Sequence, residues 1–142
     1  MGSTSAGSLD RHQSRVRVLL VGEHDKGLGE PFPQSTTSGK RLRAILGRIP
    51  VDYTLINMMS ATSEAPSRRD ARRLERVAVR HDAVVLLGRR VQAALASILP
   101  HAVGLPHPAS RRKVDLANLN DGLNSLASDV PTDNRRMARI GR

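Results

Sequence analysis

Four short apolar segments alternate along the chain with four segments in which apolar residues recur at helical spacing. The first apolar segment, RVRVLLV, ends at Gly22, and the second is VDYTLINM at residues 51–58. The third is DAVVLLG at residues 82–88, and a short fourth surrounds residues 102–105. Because apolar and β-branched runs that stop at turn residues are typical of buried strands, this pattern predicts four strands.

Helices are predicted between and after these strands. The first covers residues 38–48 and cannot continue through Pro50. Ser67 is expected to cap the second helix, and the third and fourth are predicted at residues 89–99 and 114–127. Strands that alternate with helices pair in parallel through right-handed crossovers. The predicted fold class is therefore α/β, a three-layer α/β/α sandwich with a four-stranded parallel sheet.

Polar residues follow three of the four predicted strands. In folds of this kind, ligands bind beyond the carboxyl ends of the strands. The loops after the first, second and fourth strands are therefore expected on one rim, where their polar side chains could converge. These residues are Glu23, His24, Asp25, Asn57 and His107.

The chain is strongly basic, with 23 lysines and arginines against 13 aspartates and glutamates and a formal net charge of +10. This excess favours a polyanionic partner because neutralised phosphates release counterions, although an arginine-rich solvated surface has the same composition. The polar face of the second predicted helix is rich in arginine, and it too could either contact phosphates or only be solvated. Its arginines are Arg68, Arg69, Arg72, Arg73, Arg76 and Arg80.

Composition also limits the classes of function. The chain has no cysteine, which excludes disulfides, thiolate zinc sites and iron–sulfur clusters, and no cofactor or metal is expected. Phe32 and Tyr53 are its only aromatic residues, too few for an extended platform that stacks on single strands. Because no run of about 18 apolar residues occurs, we expect an intracellular, cytoplasmic and nucleoid-associated protein with no membrane partner.

The length of 142 residues suits one domain. Residues 1–14 and 130–142 show no apolar period, so we expect a disordered N-terminal segment and a basic C-terminal tail. The folded domain is then expected at residues 15–129. A monomer is expected because no long exposed apolar stripe remains once the core has been assigned.

Four motifs, in their order along the chain, resemble the uracil-DNA glycosylase superfamily and, within it, the branch whose first motif begins with Gly-Glu. They are VLLVGEHDKGLGEPF followed by TTSGKRLRAIL, then YTLINMMS, VVLLGRRVQAAL and LPHPASRR. The resemblance runs from about Arg15 to Ala127 and implies a uracil-DNA glycosylase-like domain. It also implies a hydrolase that flips uracil or a 5-substituted pyrimidine out of single- or double-stranded DNA and cleaves its N-glycosidic bond.

The same resemblance implies roles for individual residues. Phe32 would stack on the flipped base, Asn57 would read its Watson–Crick edge, and His107, between two prolines, would donate a hydrogen bond to the base oxygen. Each also has a structural explanation: a core phenylalanine, an asparagine in a turn, a histidine that caps loop carbonyls. Catalysis would further involve Glu23 and Asp25, and base binding would involve Gly22 and His24.

The loop after His107 is the predicted contact with the DNA backbone, and a basic helix start is the alternative explanation. Its residues are Ser110, Arg111, Arg112 and Lys113. The chain departs from the family in its first motif, where His24 and Asp25 replace the usual asparagine, aspartate or small residue and the proline after it. Two alternatives therefore stay open: a non-catalytic protein of this fold that binds a base, nucleotide or DNA, and a base-modification enzyme that reuses the site.

Overall fold

The computed structural model describes residues 15–23, 30–59 and 65–128, and within them four strands alternate with four helices. The strands are β1 (Val16–Gly22), β2 (Val51–Asn57), β3 (Ala83–Leu87) and β4 (Val103–Leu105). The helices are α1 (Thr37–Leu46), α2 (Arg68–Ala78), α3 (Arg89–Leu95) and α4 (Lys113–Ser128). The two predicted terminal segments lie outside the described residues.

All four strands are parallel and lie in the order β2-β1-β3-β4. The central strand β1 pairs with β2 along its whole length, from Val16 opposite Val51 to Gly22 opposite Asn57. The predicted α/β class with a four-stranded parallel sheet is thus confirmed. Since the strands share one direction, their last residues meet at a single edge of the sheet, which we call the carboxyl edge.

Buried side chains form two clusters, one on each face of the sheet. Successive residues of a strand point to opposite faces, so Leu20 of β1 belongs to one cluster and Leu19 to the other. Helices α1 and α4 cover the first face with Leu42, Leu46, Leu119 and Leu123. Helices α2 and α3 cover the second face with Leu74, Val91 and Leu95. The sheet is therefore the middle layer of an α/β/α arrangement.

Helix ends follow local sequence signals, with one exception. At the start of α2, Ser67 Oγ accepts the Asp70 N–H while the Asp70 carboxylate accepts the Ser67 N–H, which is a capping box. The prediction that the third helix reaches residue 99 is wrong, because α3 ends at Leu95. Residues 96–99 form turns instead, and Pro100 accounts only for Leu99, since proline disfavours helical backbone in the residue before it. None of the helices in the described part is long and apolar enough to cross a membrane.

Candidate functional site

Three predicted site residues meet where β1 and β2 end. Gly22 lies opposite Asn57 in the sheet register, and the ring of Phe32 lies directly over Gly22. A Cβ atom at Gly22 would come within 2.6 Å of Phe32 Cε2 and 3.5 Å of Asn57 Oδ1. Only glycine leaves room for the ring at this position, so the end of β1 is shaped to hold the aromatic side chain beside the carboxamide.

His107 joins this group from the loop after β4. Its ring centroid lies 5.9 Å from that of Phe32, with the two planes tilted by 43°. It also packs against Gly88, which has a φ of 95° and follows β3. We call Gly22, Phe32, Asn57 and His107 the rim cluster. Its members come from the ends of β1 and β2 and from the loops after β1 and β4, and they lie at the carboxyl edge, where Asn57 and His107 were predicted to converge.

The hydrogen bond at Nδ1 of the His107 ring defines which nitrogen carries the proton. Nδ1 accepts the backbone N–H of Ala109 at 2.9 Å. A nitrogen that accepts from an N–H cannot carry its own proton, so the neutral ring holds its proton on Nε2. The site therefore contains a histidine whose Nε2–H is a hydrogen-bond donor.

The Phe32 side chain is part of the hydrophobic core, and the Phe32 backbone is strained. Its side chain is only 8% exposed and belongs to the core cluster under α1 and α4. This burial agrees with the alternative explanation that Phe32 is a core residue. Its φ of 47° lies in the left-handed region that non-glycine residues seldom adopt. Such a conformation costs about 1 to 3 kcal/mol and persists only where the surroundings enforce it, often at functional sites.

Arg43 of α1 supplies part of that enforcement. Its Nε donates to the Phe32 carbonyl at 3.0 Å, and its Nη2 donates to the Pro31 carbonyl and pairs with the Glu30 carboxylate, both at 3.3 Å. The guanidinium thus holds three consecutive residues of the loop. Gly39, also in α1, lies against the carbonyl groups of Pro33 and Phe32, so the helix and the loop are in close backbone contact.

Arg41 of the same helix binds the loop after β4, which contains His107. Its Nη1 donates to the carbonyls of Pro108 and Ser110, at 3.3 and 3.1 Å. Helix α1 therefore positions Phe32 through one arginine and His107 through another. Neither arginine was predicted as a site residue, because in the sequence an arginine that binds loop carbonyls cannot be told from any other arginine on the polar face of a helix.

Replacing Arg43 with glutamine is expected to lower the free energy of unfolding by about 1 to 2 kcal/mol, because two carbonyls lose charged donors in a partly buried setting. The strained Phe32 backbone should also relax. Thermal unfolding measures the first effect, and the nuclear Overhauser contact between the Phe32 and His107 rings measures the second. Arg48→Gln, at an exposed position whose side chain has no described partner, is the matched control. An undisturbed ring contact in Arg43→Gln would contradict the positioning role.

Glu23 lies at the carboxyl edge but turns toward α3. Its carboxylate forms an ion pair with Arg90 at 3.1 Å and is about one quarter exposed. Its carbonyl accepts the Met59 N–H at 3.3 Å, which extends the pairing between the ends of β1 and β2. The two remaining residues of the predicted first motif, His24 and Asp25, lie outside the described residues.

The residues predicted to contact the DNA backbone lie just before α4 and at its first position. Ser110 Oγ donates to Asp115 Oδ2 at 2.7 Å and accepts the Arg112 N–H at 3.3 Å, so this hydroxyl organises the start of the helix. The three basic residues are exposed, and their side chains have no ion-pair partner among the described residues. They are Arg111, Arg112 and Lys113.

A cavity of about 380 Å³ borders His107 on the β4 side. Arg89, Gln92 and Asp115 supply polar groups to its wall. Gln92 Nε2 donates to the Leu105 carbonyl at 3.0 Å and so joins α3 to β4. Cavities of this size hold small ligands. His107 therefore borders a space large enough for one heterocyclic base, whereas Phe32 and Asn57 are not among the described residues that line it.

Within residues 15–23, 30–59 and 65–128, no three histidine, aspartate or glutamate side chains are grouped so that they could hold a metal ion. No protein-family model matches the chain, and no curated protein is significantly similar to it in sequence. The geometry of the rim cluster and the motifs around it are therefore the basis for a functional assignment.

Proposed function

We propose that the chain is a monofunctional DNA glycosylase of the uracil-DNA glycosylase superfamily that extrudes uracil or a 5-substituted pyrimidine and hydrolyses its N-glycosidic bond. The observation that carries the proposal is the rim cluster, in which an aromatic ring, a carboxamide and an imidazole N–H donor meet. These are the three groups needed to stack on a base, read its edge and stabilise it as it departs.

In the proposed reaction, the bond between the sugar C1′ and the base nitrogen breaks, and its electron pair stays with the base. The oxygen of a water molecule bonds to C1′, and the proton lost by that water balances the anionic base. Negative charge builds on the base oxygen during this step, and a preorganised donor at that oxygen lowers the barrier. His107 Nε2–H is the donor we assign, since Ala109 occupies the other ring nitrogen.

Asn57 and Phe32 are assigned to recognition. A carboxamide carries both donors and an acceptor, so when it is held in one orientation it distinguishes the uracil edge from the cytosine edge. Asn57 is suited to this task because it is only partly buried and its backbone carbonyl is fixed by Arg73 Nη2 at 2.8 Å. Phe32 offers a limited part of its ring to a base, since most of it is covered. Glu23, Asp25 and His24 remain the predicted residues for placing water and supporting the base.

The ion pair of Glu23 with Arg90 favours a second candidate function, a non-catalytic protein that binds a base or DNA at the same site. Arg90 donates to this carboxylate and so competes with a water molecule for its oxygens. In that case the site would retain stacking and edge recognition without hydrolysis.

Base release from oligonucleotides tests the proposal. Single-stranded and duplex DNA with uracil, mismatched thymine or 5-hydroxymethyluracil is incubated with excess protein, and released base and abasic sites are quantified. We expect release of at least one of these bases and no release of cytosine. Binding without release would support the non-catalytic candidate, and a base changed in mass but still attached would indicate a modification enzyme. Either result would overturn the glycosylase assignment.

A further inference from the structure

Helix α2 carries a basic face that the rim cluster does not use. Six arginines and two acidic residues lie in residues 68–80, which leaves four net positive charges. At 100° per residue, the arginines from Arg68 to Arg76 lie within about 140° of the helix circumference, and Arg80 lies in the turn that follows the helix. Five of the six arginines are exposed and have no ion-pair partner among the described residues. They are Arg68, Arg69, Arg72, Arg76 and Arg80, and we call them the α2 arginine face.

The acidic residues of α2 do little to neutralise this face. Asp70 is 9% exposed and is occupied by the capping box with Ser67. Glu75 lies at the margin of the face beside Arg68 and Arg72, and it forms no ion pair with an arginine among the described residues. Exposed like charges at helical spacing repel one another by a few tenths of a kcal/mol per pair. A bound polyanion would remove this repulsion.

The α2 arginine face is joined to the rim cluster by Arg73. This side chain donates to the Asn57 carbonyl at 2.8 Å and pairs with Asp70 at 3.7 Å. Because α2 follows β2, its first turn lies at the carboxyl edge, and the face extends about 12 Å from Arg68 to Arg76. A strand with a nucleotide at Asn57 would therefore have phosphates close to the first arginines of α2.

We propose that the α2 arginine face binds the phosphate backbone of the nucleic acid strand whose base enters the site. Arginine suits this role because its guanidinium forms paired hydrogen bonds with phosphate oxygens. A membrane surface fits less well, since surface-binding helices insert an apolar face and the apolar face of α2 is packed on the sheet through Leu74 and Val77. The link to a flipped base rests on the proposed function, whereas phosphate binding by α2 does not.

The test compares the full chain with the double variant Arg72→Gln/Arg76→Gln. Its matched control is Arg17→Gln/Arg48→Gln, which removes two exposed arginines near the opposite edge of the sheet. Affinity for a fluorescent oligonucleotide of ordinary bases is measured between 50 and 300 mM salt, about the range in which counterion release dominates binding. Each lost phosphate contact lowers the slope of log K against log salt by about 0.7 for single strands and 0.9 for duplexes.

We expect the α2 variant to bind at least about tenfold more weakly at the lowest salt and to lose about 1.4 to 1.8 from its salt slope. The control should keep the slope of the unaltered chain. Equal slopes in both variants, or no DNA binding by the unaltered chain, would overturn the inference. So would a loss of binding to phosphatidylserine vesicles without a loss for DNA. Because the oligonucleotide contains no substrate base, the inference can hold even if no base release is ever detected.

Discussion

Replacing His107 with alanine is expected to slow base release about 100- to 1,000-fold while DNA affinity changes less than about threefold. Removing one preorganised donor from a site where charge develops costs this much in rate. Affinity should be retained because the donor acts mainly on the departing base, whereas ground-state binding depends on phosphate contacts. Single-turnover release and fluorescence anisotropy measure the two quantities separately.

The variants His107→Asn and His101→Ala complete this experiment. Asparagine can still accept the Ala109 N–H, so it should recover the stability lost in the alanine variant but only part of the rate. His101 is exposed and has no described hydrogen-bond partner, and its loss should leave release unchanged. Asn57→Ala is expected to abolish release, because the edge of the base then has no carboxamide to bind. If His107→Ala releases base at the rate of the unaltered chain, the histidine does not donate to the base.

Replacing Gly39 with alanine is expected to destabilise the protein and to abolish base release. The new Cβ would fall on the carbonyl group of Pro33 and would lie 2.7 Å from the Phe32 carbonyl oxygen. Alanine in a helix is favourable by about 1 kcal/mol relative to glycine, but a backbone collision in a packed region costs about 3 kcal/mol. The collision dominates, so the melting temperature should fall by about 5 to 10 °C.

Gly47→Ala is the matched control at the other end of α1. Gly47 has a φ of −69°, and its Cβ would lie 3.3 Å from the Arg43 carbonyl oxygen, which requires only a small adjustment. We expect its stability to change by less than about 1 kcal/mol. Calorimetry of both variants gives the comparison. Similar melting temperatures for the two would mean that the contact between α1 and the Phe32 loop does not constrain the fold.

Element positions could be predicted from the sequence because they depend on short-range chemistry. The run VRVLLVG can bury both faces only inside a sheet, and Ser67 with Asp70 defines the start of α2 through hydrogen bonds within one turn. The end of α3 was predicted less well. Apolar residues continue at helical spacing to Leu99, but the chain forms turns after Leu95. The likeness of the motifs to the uracil-DNA glycosylase superfamily stays a prediction.

The positions of the predicted site residues depended on contacts that no local pattern encodes. A parallel sheet brings the carboxyl ends of its strands to one edge, so convergence of Asn57 and His107 there was predicted from the sequence, whereas the pairing of Gly22 with Asn57 depends on the strand order β2-β1-β3-β4. Phe32 has a positive φ, and its ring lies over Gly22. Both features depend on Arg43 and Gly39 of the following helix. The sequence contains these residues but not the angle at which α1 packs on the loop.

The sequence by itself therefore determined the alternation of elements, the class of sheet and the edge at which polar loops gather, because hydrophobic period and turn chemistry act within a few residues. Only the tertiary structure decided that α1 holds both the Phe32 and His107 loops, that His107 presents its Nε2–H, and that Glu23 pairs with Arg90. These contacts join residues far apart in the chain, and their formation depends on how the helices pack against the sheet.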